Sequence, residues 1–276
     1  MIAVELVKLL RRPRVWVAVA LLCALPVVVA VFLATTHVPP PPGQGGAFLS
    51  AVLRDGSLYP AAAMAMVVPV FLPVAVAVVA GDGIAGEAAT GTLRYLLVRP
   101  VGRTRLLVAK FVAVTVFVLV AVLSVVATSY LTGIIAFGAE PAAAVGQPGG
   151  VTSLSGAPLT PAGLALRLAG AIAFVAVSML GVAAIALFLS TLTDSALGAA
   201  LGALAALVTS QILATLDAAA TVKPYLPTRY WLAWVDFFRD PVFWRDIERG
   251  AGIQAVYVAV LLAAAWANFA TRDITS

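Results

Sequence analysis

The sequence predicts an all-α integral membrane protein with six transmembrane helices, and three observations carry that prediction. Of 276 residues, 63% are hydrophobic and 11% charged, with a mean hydropathy of +1.08; soluble domains hold about 45–50% apolar and about 25% charged residues. The apolar residues gather into runs of about 20 or more, the length that crosses hydrocarbon at 1.5 Å per residue. Lysine and arginine concentrate in alternate connecting segments. A chain this apolar cannot cover its surface with polar groups in water, which excludes an ordinary soluble enzyme. Residues 1–276 are therefore expected to form a single transmembrane domain.

Residues 1–14 read as an amphipathic helix. Ile2, Leu6, Leu9 and Leu10 share one face, and Glu5, Lys8 and Arg12 another. Such a helix is expected in the membrane interface, with its basic face toward anionic headgroups. The first span, 15–35, carries no charge. It follows Lys8, Arg11, Arg12 and Arg14, as the core of a signal peptide would, but it is longer than such cores, so an uncleaved span is expected. The polar stretch from His37 to Tyr59 contains Pro39 to Pro42, which favour an extended, solvated backbone. The second span, 60–80, is kinked by Pro69 and Pro73.

Residues 82–106 follow. Leu93, Leu96 and Leu97 recur at helical spacing, Glu87, Thr90 and Arg94 share a stripe, and Pro100 ends the pattern. This predicts a short surface helix bent off the second span. The third span covers 107–137. Between Gly163 and Leu216 only Arg167 and Asp194 are charged, which is too long for one crossing and suits two, 163–189 and 196–216, broken at Ser190–Asp194. Gly198 and Gly202 permit close helix approach. The aromatic-rich segment 217–250 precedes a sixth span at 251–270.

Basic residues orient the chain. Four precede the first span, and Arg94, Arg99, Arg103, Arg105 and Lys110 lie around the 82–106 segment; Arg54 alone falls in the Val38–Tyr59 loop and none in Gly138–Ala162. Both termini are thus expected in the cytoplasm. The 217–250 segment opposes this with five basic residues, balanced by Asp217, Asp236, Asp240, Asp246 and Glu248, and is assigned to the outside on the weight of the early loops. Scarce lysine beside an Ala/Val/Gly bias fits a bacterial plasma membrane protein.

Several chemistries lack their residues. The sole cysteine, Cys23, excludes an intrachain disulfide. Lys8, Lys110 and Lys223 follow valine, alanine and valine, so the Gly-Lys of a phosphate-binding loop is absent. His37 is the single histidine and is read as solvated; no Cys/His cluster of metal-binding spacing exists. Asp236 and Asp240, at i and i+4, suit paired acids in principle but are read as a charged interfacial loop. The spans carry hydroxyls and one amide in place of ionisable groups: Ser124, Thr128, Ser129, Ser178, Thr209, Ser210 and Gln211. They suit either a pathway for an amphiphilic cargo or the bonding of helix to helix.

Glu87, Gly91-Thr92-Leu93, Leu96-Leu97, Pro100, Arg103 and Lys110 together resemble the pattern of type-2 ATP-binding-cassette (ABC) exporter permeases. Residues Glu5 to Trp16 resemble that family's N-terminal elbow helix, and Arg272-Asp273-Ile274 its C-terminal exit. The resemblance implies an elbow helix, six spans and a cytoplasmic coupling helix after the second. It implies a homodimer in the lipid bilayer with two copies of a cytoplasmic ATPase subunit, which binds the ATP and magnesium; this chain holds no cofactor, no catalytic residue and no nucleic acid. Glu5, Lys8, Arg12, Glu87, Gly91, Thr92, Leu93, Arg94, Pro100 and Arg103 become ATPase-coupling residues, and Ser124, Thr128, Ser178, Ser210 and Gln211 line a path for a drug- or lipid-like substrate. Alanine at Glu87 is then expected to leave folding largely intact and to uncouple hydrolysis from transport. In such permeases the loop before the sixth span often dips into the membrane. The alternatives are an integral-membrane enzyme and a non-transporting scaffold or sensor.

Overall fold

In the computed structural model, which describes residues 1–36, 56–89, 102–138, 153–157 and 159–271, every regular element is helical. Helix α1 (Ile2–Arg11) stops at Arg11, short of the expected end at 14. Arg12 is extended (φ −79°, ψ 116°), because the ring of Pro13 disfavours helical backbone in the preceding residue. Pro13 then opens α2 (Pro13–Thr36), where its missing N–H costs nothing.

The second apolar segment is two helices, α3 (Tyr59–Val67) and α4 (Phe71–Gly81), with the axis bent by 60° between them. Pro69 lies in the break, as expected from the sequence. A short helix α5 (Ala85–Ala89) follows. Helix α6 (Arg103–Phe137) begins four residues before the predicted span and draws Arg103 and Arg105 into its first turn. Helix α7 (Pro161–Leu192) starts under a Thr160 cap, whose hydroxyl accepts from the Gly163 amide at 3.1 Å. Its end lies beyond the predicted break: Ser190 and Thr191 remain helical, and the chain turns at Thr193–Ser195, where Ser195 caps α8 (Ala196–Thr215). Helix α9 (Trp244–Thr271) begins seven residues before the predicted sixth span. Arg245, Asp246, Glu248 and Arg249 in its first turns hide it from a hydropathy reading.

Among the described residues, five helices are long and apolar enough to cross a membrane: α2, α6, α7, α8 and α9. The α3–α4 pair passes the same test only as a bent unit. Helix α7 is central, packed on α4, α6, α8 and α9. The most apolar window of α7 is 67% buried, against 22% in α2 and 17% in α9. Outer helices therefore present apolar side chains outward, such as Val17, Leu21 and Phe32 of α2 and Val256 and Val260 of α9, as helices facing lipid do.

Without a hydrophobic drive between helices inside lipid, contact depends on close backbone approach. Helix α3 is fixed this way. Its leading residue Gly56 donates from its amide to the Gly138 carbonyl at 3.1 Å, and the Tyr59 hydroxyl donates to the Pro26 carbonyl of α2. The Tyr59 ring tilts against Phe137 at 5.6 Å. Gly133 of α6 faces Gly56 so closely that a Cβ there would lie 2.3 Å from the Gly56 oxygen. Gly133→Ala is expected to destabilise the protein by about 1–3 kcal/mol through overpacking. Thermal melting in detergent checks this, with Gly102→Ala, which meets nothing within 4 Å, as the variant expected to leave the midpoint unchanged.

Candidate functional site

One end of the bundle collects the starts of α2, α6 and α8 and the ends of α4, α7 and α9. There α1 lies across α6. Glu5, Lys8 and Arg12 project from one side of the N-terminal segment because they are spaced i, i+3 and i+7. That side faces inward: Glu5 is 5% exposed, whereas Ile2, Val4, Val7 and Leu10 are 44–53% exposed. The sequence expectation, with the basic face turned to headgroups, is thus reversed. Ion pairing inside the protein outweighs burial of the apolar stripe, because that stripe has lipid to face.

The inward side meets Lys110, two turns into α6 and 4% exposed, and Glu87 of α5, also 4% exposed. Lys110 Nζ lies 2.7 Å from Glu5 Oε2 and 2.5 Å from Glu87 Oε1. Lys8 Nζ sits 3.1 Å from Glu5 Oε1 and 3.2 Å from Glu87 Oε1. Two cations and two carboxylates alternate, so the group is electrically neutral, the condition under which charges tolerate burial. Arg12 adds an ion pair with Asp82 at the end of α4. Beside the group is a cavity of about 30 Å³ lined by Glu5, Lys8, Leu9, Arg12, Gly83 and Lys110, enough for one water molecule.

Burial pushes the Glu5 carboxyl up, but Lys110 and Lys8 outweigh it and hold it below the usual value of 4.5. Burial likewise pushes the Lys8 ammonium down, and Glu87 with Glu5 reverses this, raising it above 10.5. Both directions favour the charged, paired state.

A hydroxyl holds the turn that presents Glu87. Ser190 Oγ accepts from the amides of Ile84 (3.1 Å) and Ala85 (2.8 Å) and donates to the Gly81 carbonyl (2.7 Å). Gly81 lets α4 touch the α8 backbone, since a Cβ there would lie 2.9 Å from the Ala200 nitrogen. Arg103 Nη1 donates to the Phe269 carbonyl at 2.8 Å, and Asn268 donates to the Thr191 carbonyl at 2.8 Å, joining α6, α7 and α9.

Of the sequence-derived coupling residues, Glu5, Lys8 and Glu87 therefore meet in one cluster, Arg12 adjoins it through Asp82, and Arg103 binds the end of α9. Gly91, Thr92, Leu93, Arg94 and Pro100 lie outside the described residues, as do His37 and the Arg272-Asp273-Ile274 exit. Sequence reasoning quoted Lys110 but gave it no role, and it missed Asp82 and Ser190. The signal for Lys110 is its isolation, a lone cation in an apolar run of almost thirty residues.

The pathway candidates are dispersed. Ser124 and Thr128 are half-buried on α6, and Ser178 is buried in α7. Ser210 pairs with Thr228 at 2.7 Å. Exposed Gln211 donates to the Pro69 carbonyl at 3.0 Å. Gly202 of α8 faces only the Leu189 side chain of α7, and Gly198 its own cap Ser195; the close crossing of α8 falls at Gly81 and Ala200 instead.

At the opposite end, the segment between α8 and α9 folds back onto α7, with Trp231, Trp234 and Phe238 buried. Gln254, ten residues into α9, donates to the Pro227 carbonyl at 2.6 Å. Asp236 pairs with Arg239 at 2.8 Å and Asp240 with Arg167 at 3.4 Å, so the two aspartates hold separate arginines.

With this geometry in place, the sequence was compared with known families. It matches the profile described as "Protein of unknown function (DUF2705)" over residues 27–275. The chain belongs to the DUF2705 family. The match covers every spanning helix and both Glu87 and Lys110, and begins after α1. No curated protein matches the sequence.

The buried Glu87 alters the expectation for its alanine variant: Glu87→Ala leaves Lys110 short of a carboxylate in a buried site and perturbs the fold itself. Lys110→Met, which strands Glu5 and Glu87, is expected to destabilise by about 3–5 kcal/mol, and combining it with Glu5→Gln and Glu87→Gln to recover most of that loss, because a neutral buried set avoids the desolvation penalty. Melting of the four proteins tests this non-additivity. The Glu5 contribution is complete above pH 4.5 and is lost as pH falls through its lowered folded value; the Lys8 contribution is complete below 10.5 and is lost as pH rises through its raised value. A plot of melting temperature against pH should therefore show a plateau with both arms falling, and Glu5→Gln should flatten the acid arm.

Proposed function

We propose that this chain is the membrane subunit of an ATP-driven exporter of the type-2 ABC kind, moving an amphiphilic, drug- or lipid-like substrate across the bacterial plasma membrane. In this reading α1 is the elbow helix, the bent α3–α4 pair counts as one of six spans, and 82–106 is the cytoplasmic coupling segment. Both termini are cytoplasmic. Two copies pair, and two separate ATPase subunits bind ATP and magnesium and dock on α1 and the coupling segment.

The observation that carries the reading is the buried group of Glu5, Lys8, Glu87 and Lys110. It ties the two elements that would receive an ATPase, α1 and the Glu87 segment, to each other and to α6. Force applied at either is borne by α6 and, through Asp82 and Gly81, by α4 and α8. Further support comes from the middle of the second span. Irregular backbone at membrane depth is tolerated against protein or water but not against lipid. The break at Val68–Val70 is flanked by exposed Val70, Phe71 and Val74, a face suited to a second copy or to a watery path between two copies. Gln211 and Ser210 lie along it or near it.

Reconstitution with the ATPase encoded nearest the gene tests this. Glu87→Gln, which keeps the shape and removes the charge, is expected to leave basal ATP hydrolysis near wild type and to reduce its stimulation by cargo about 5-fold or more. In a Cys23→Ala background, Ala89→Cys, at the exposed end of α5, is expected to react with impermeant thiol reagents from the cytosolic side only. Nucleotide hydrolysis by the isolated chain, or labelling from outside, overturns the proposal.

A further inference from the structure

The two prolines of the second span do different things. Pro69 breaks the helix where it stands. Pro73 lies four residues later, and its missing N–H is the one that would have bonded the Pro69 carbonyl. Gln211 of α8 supplies the substitute, its Nε2 donating to that oxygen at 3.0 Å. The donor side chain is exposed, so the bond is open to competition from water or another polar group.

The two halves of the span are held very differently. Of the nine residues of α3, seven are buried, and α3 is bound to α2 by Tyr59 and to α6 by the Gly56–Gly133 contact. Helix α4 leaves Val70, Phe71, Val74 and Val78 exposed. At its far end it is clasped by Ser190 and by Gly81 against α8, and it continues into Glu87. On the inner side of the break lies an apolar cavity lined by Met64, Val67, Leu72, Val122, Val125 and Val175. Side chains from both halves border this void, so Leu72 has unfilled space beside it at the point of bending.

We propose that the second span is a hinged lever. Helix α3 is its fixed arm, α4 its moving arm, the Val68–Val70 break its pivot, and the Gln211–Pro69 hydrogen bond a releasable strut that selects the bent state. Leu72 moves into the cavity as α4 tilts. Because α4 ends at the Glu87 segment, a push on the buried ion group becomes a change in bend at mid-membrane. The proposal rests on the exporter reading for what supplies the push; the pivot and strut stand without it.

Electron-spin distance measurements on the full chain in lipid nanodiscs, with Cys23→Ala and labelled chains diluted in unlabelled ones, test this. One label pair, Val78 with Leu123, reports the moving arm; another, Ala65 with Leu123, reports the fixed arm. Helix α4 is about 16 Å long, so a tilt of about 15° moves its end by about 4 Å. Gln211→Leu is expected to add a population shifted by about that much in the Val78 pair and none in the Ala65 pair. Pro73→Ala restores an N–H to the Pro69 carbonyl and is expected to abolish the effect of Gln211→Leu. An unshifted Val78 pair, equal shifts in both pairs, or a Gln211→Leu shift that survives Pro73→Ala overturns the hinge. The measurement needs no ATPase: a shift in a chain that moves no cargo sinks the exporter reading alone, whereas Glu87-dependent transport with an immobile Val78 pair sinks the hinge alone.

Discussion

A buried charge must be neutralised where it stands, and Lys110 imposes that constraint on one whole end of this protein. It lies two turns inside an otherwise apolar helix, at 4% exposure, where an unpaired ammonium is intolerable. Two carboxylates answer it from separate parts of the chain, one preceding the first span and one following the second. Lys8 completes the balance. The position of α1, the register of α5 on α6 and the path out of α4 all follow from satisfying that one cation.

The same accounting applies to the backbone. Where proline removes an amide, some other group must take up the released carbonyl, and Gln211 does so for Pro69. Where α5 starts without a local cap, Ser190 reaches from α7 to take the Ile84 and Ala85 amides. Where α3 meets α6, glycines at 56 and 133 allow the backbones to touch. These are polar and steric devices because packing between helices in lipid has little else to draw on. They divide the molecule into a stiff part, α3 with α6 and α7, and a part joined through individual side-chain contacts, α1, α4 and α5.

The helices themselves were legible in advance. Apolar runs of spanning length, the bend expected at Pro69 and the turn between α7 and α8 are local signals. The boundaries that moved did so for identifiable reasons. Arg103 and Arg105 and the charged start of α9 are helical yet polar, so hydropathy excludes them. Ser190 and Thr191 read as a break because hydroxyls favour turns, whereas the Ser190 hydroxyl is committed to another segment's amides. In the site, Glu5, Lys8 and Glu87 were each marked by their pattern, but the direction α1 faces was not. An amphipathic helix has two possible partners in a membrane protein, lipid and bundle, and its periodicity is the same whichever face meets which.

By itself the sequence determined what depends on composition and spacing: a helical, membrane-embedded chain, the approximate extent of its apolar segments, the absence of a phosphate-binding loop, and the residues whose charges demanded partners. Tertiary structure alone decided which partners those were. It set Lys110 between Glu5 and Glu87, gave Ser190 to the α5 turn and Gln211 to Pro69, and placed the close crossing of α8 at Gly81 and Ala200 in place of Gly198 and Gly202. The physical reason is range. Helix formation is governed by neighbours within one turn, whereas neutralising a buried charge or a released carbonyl depends on groups about 80 to 140 residues away, which only the packed bundle brings within 3 Å.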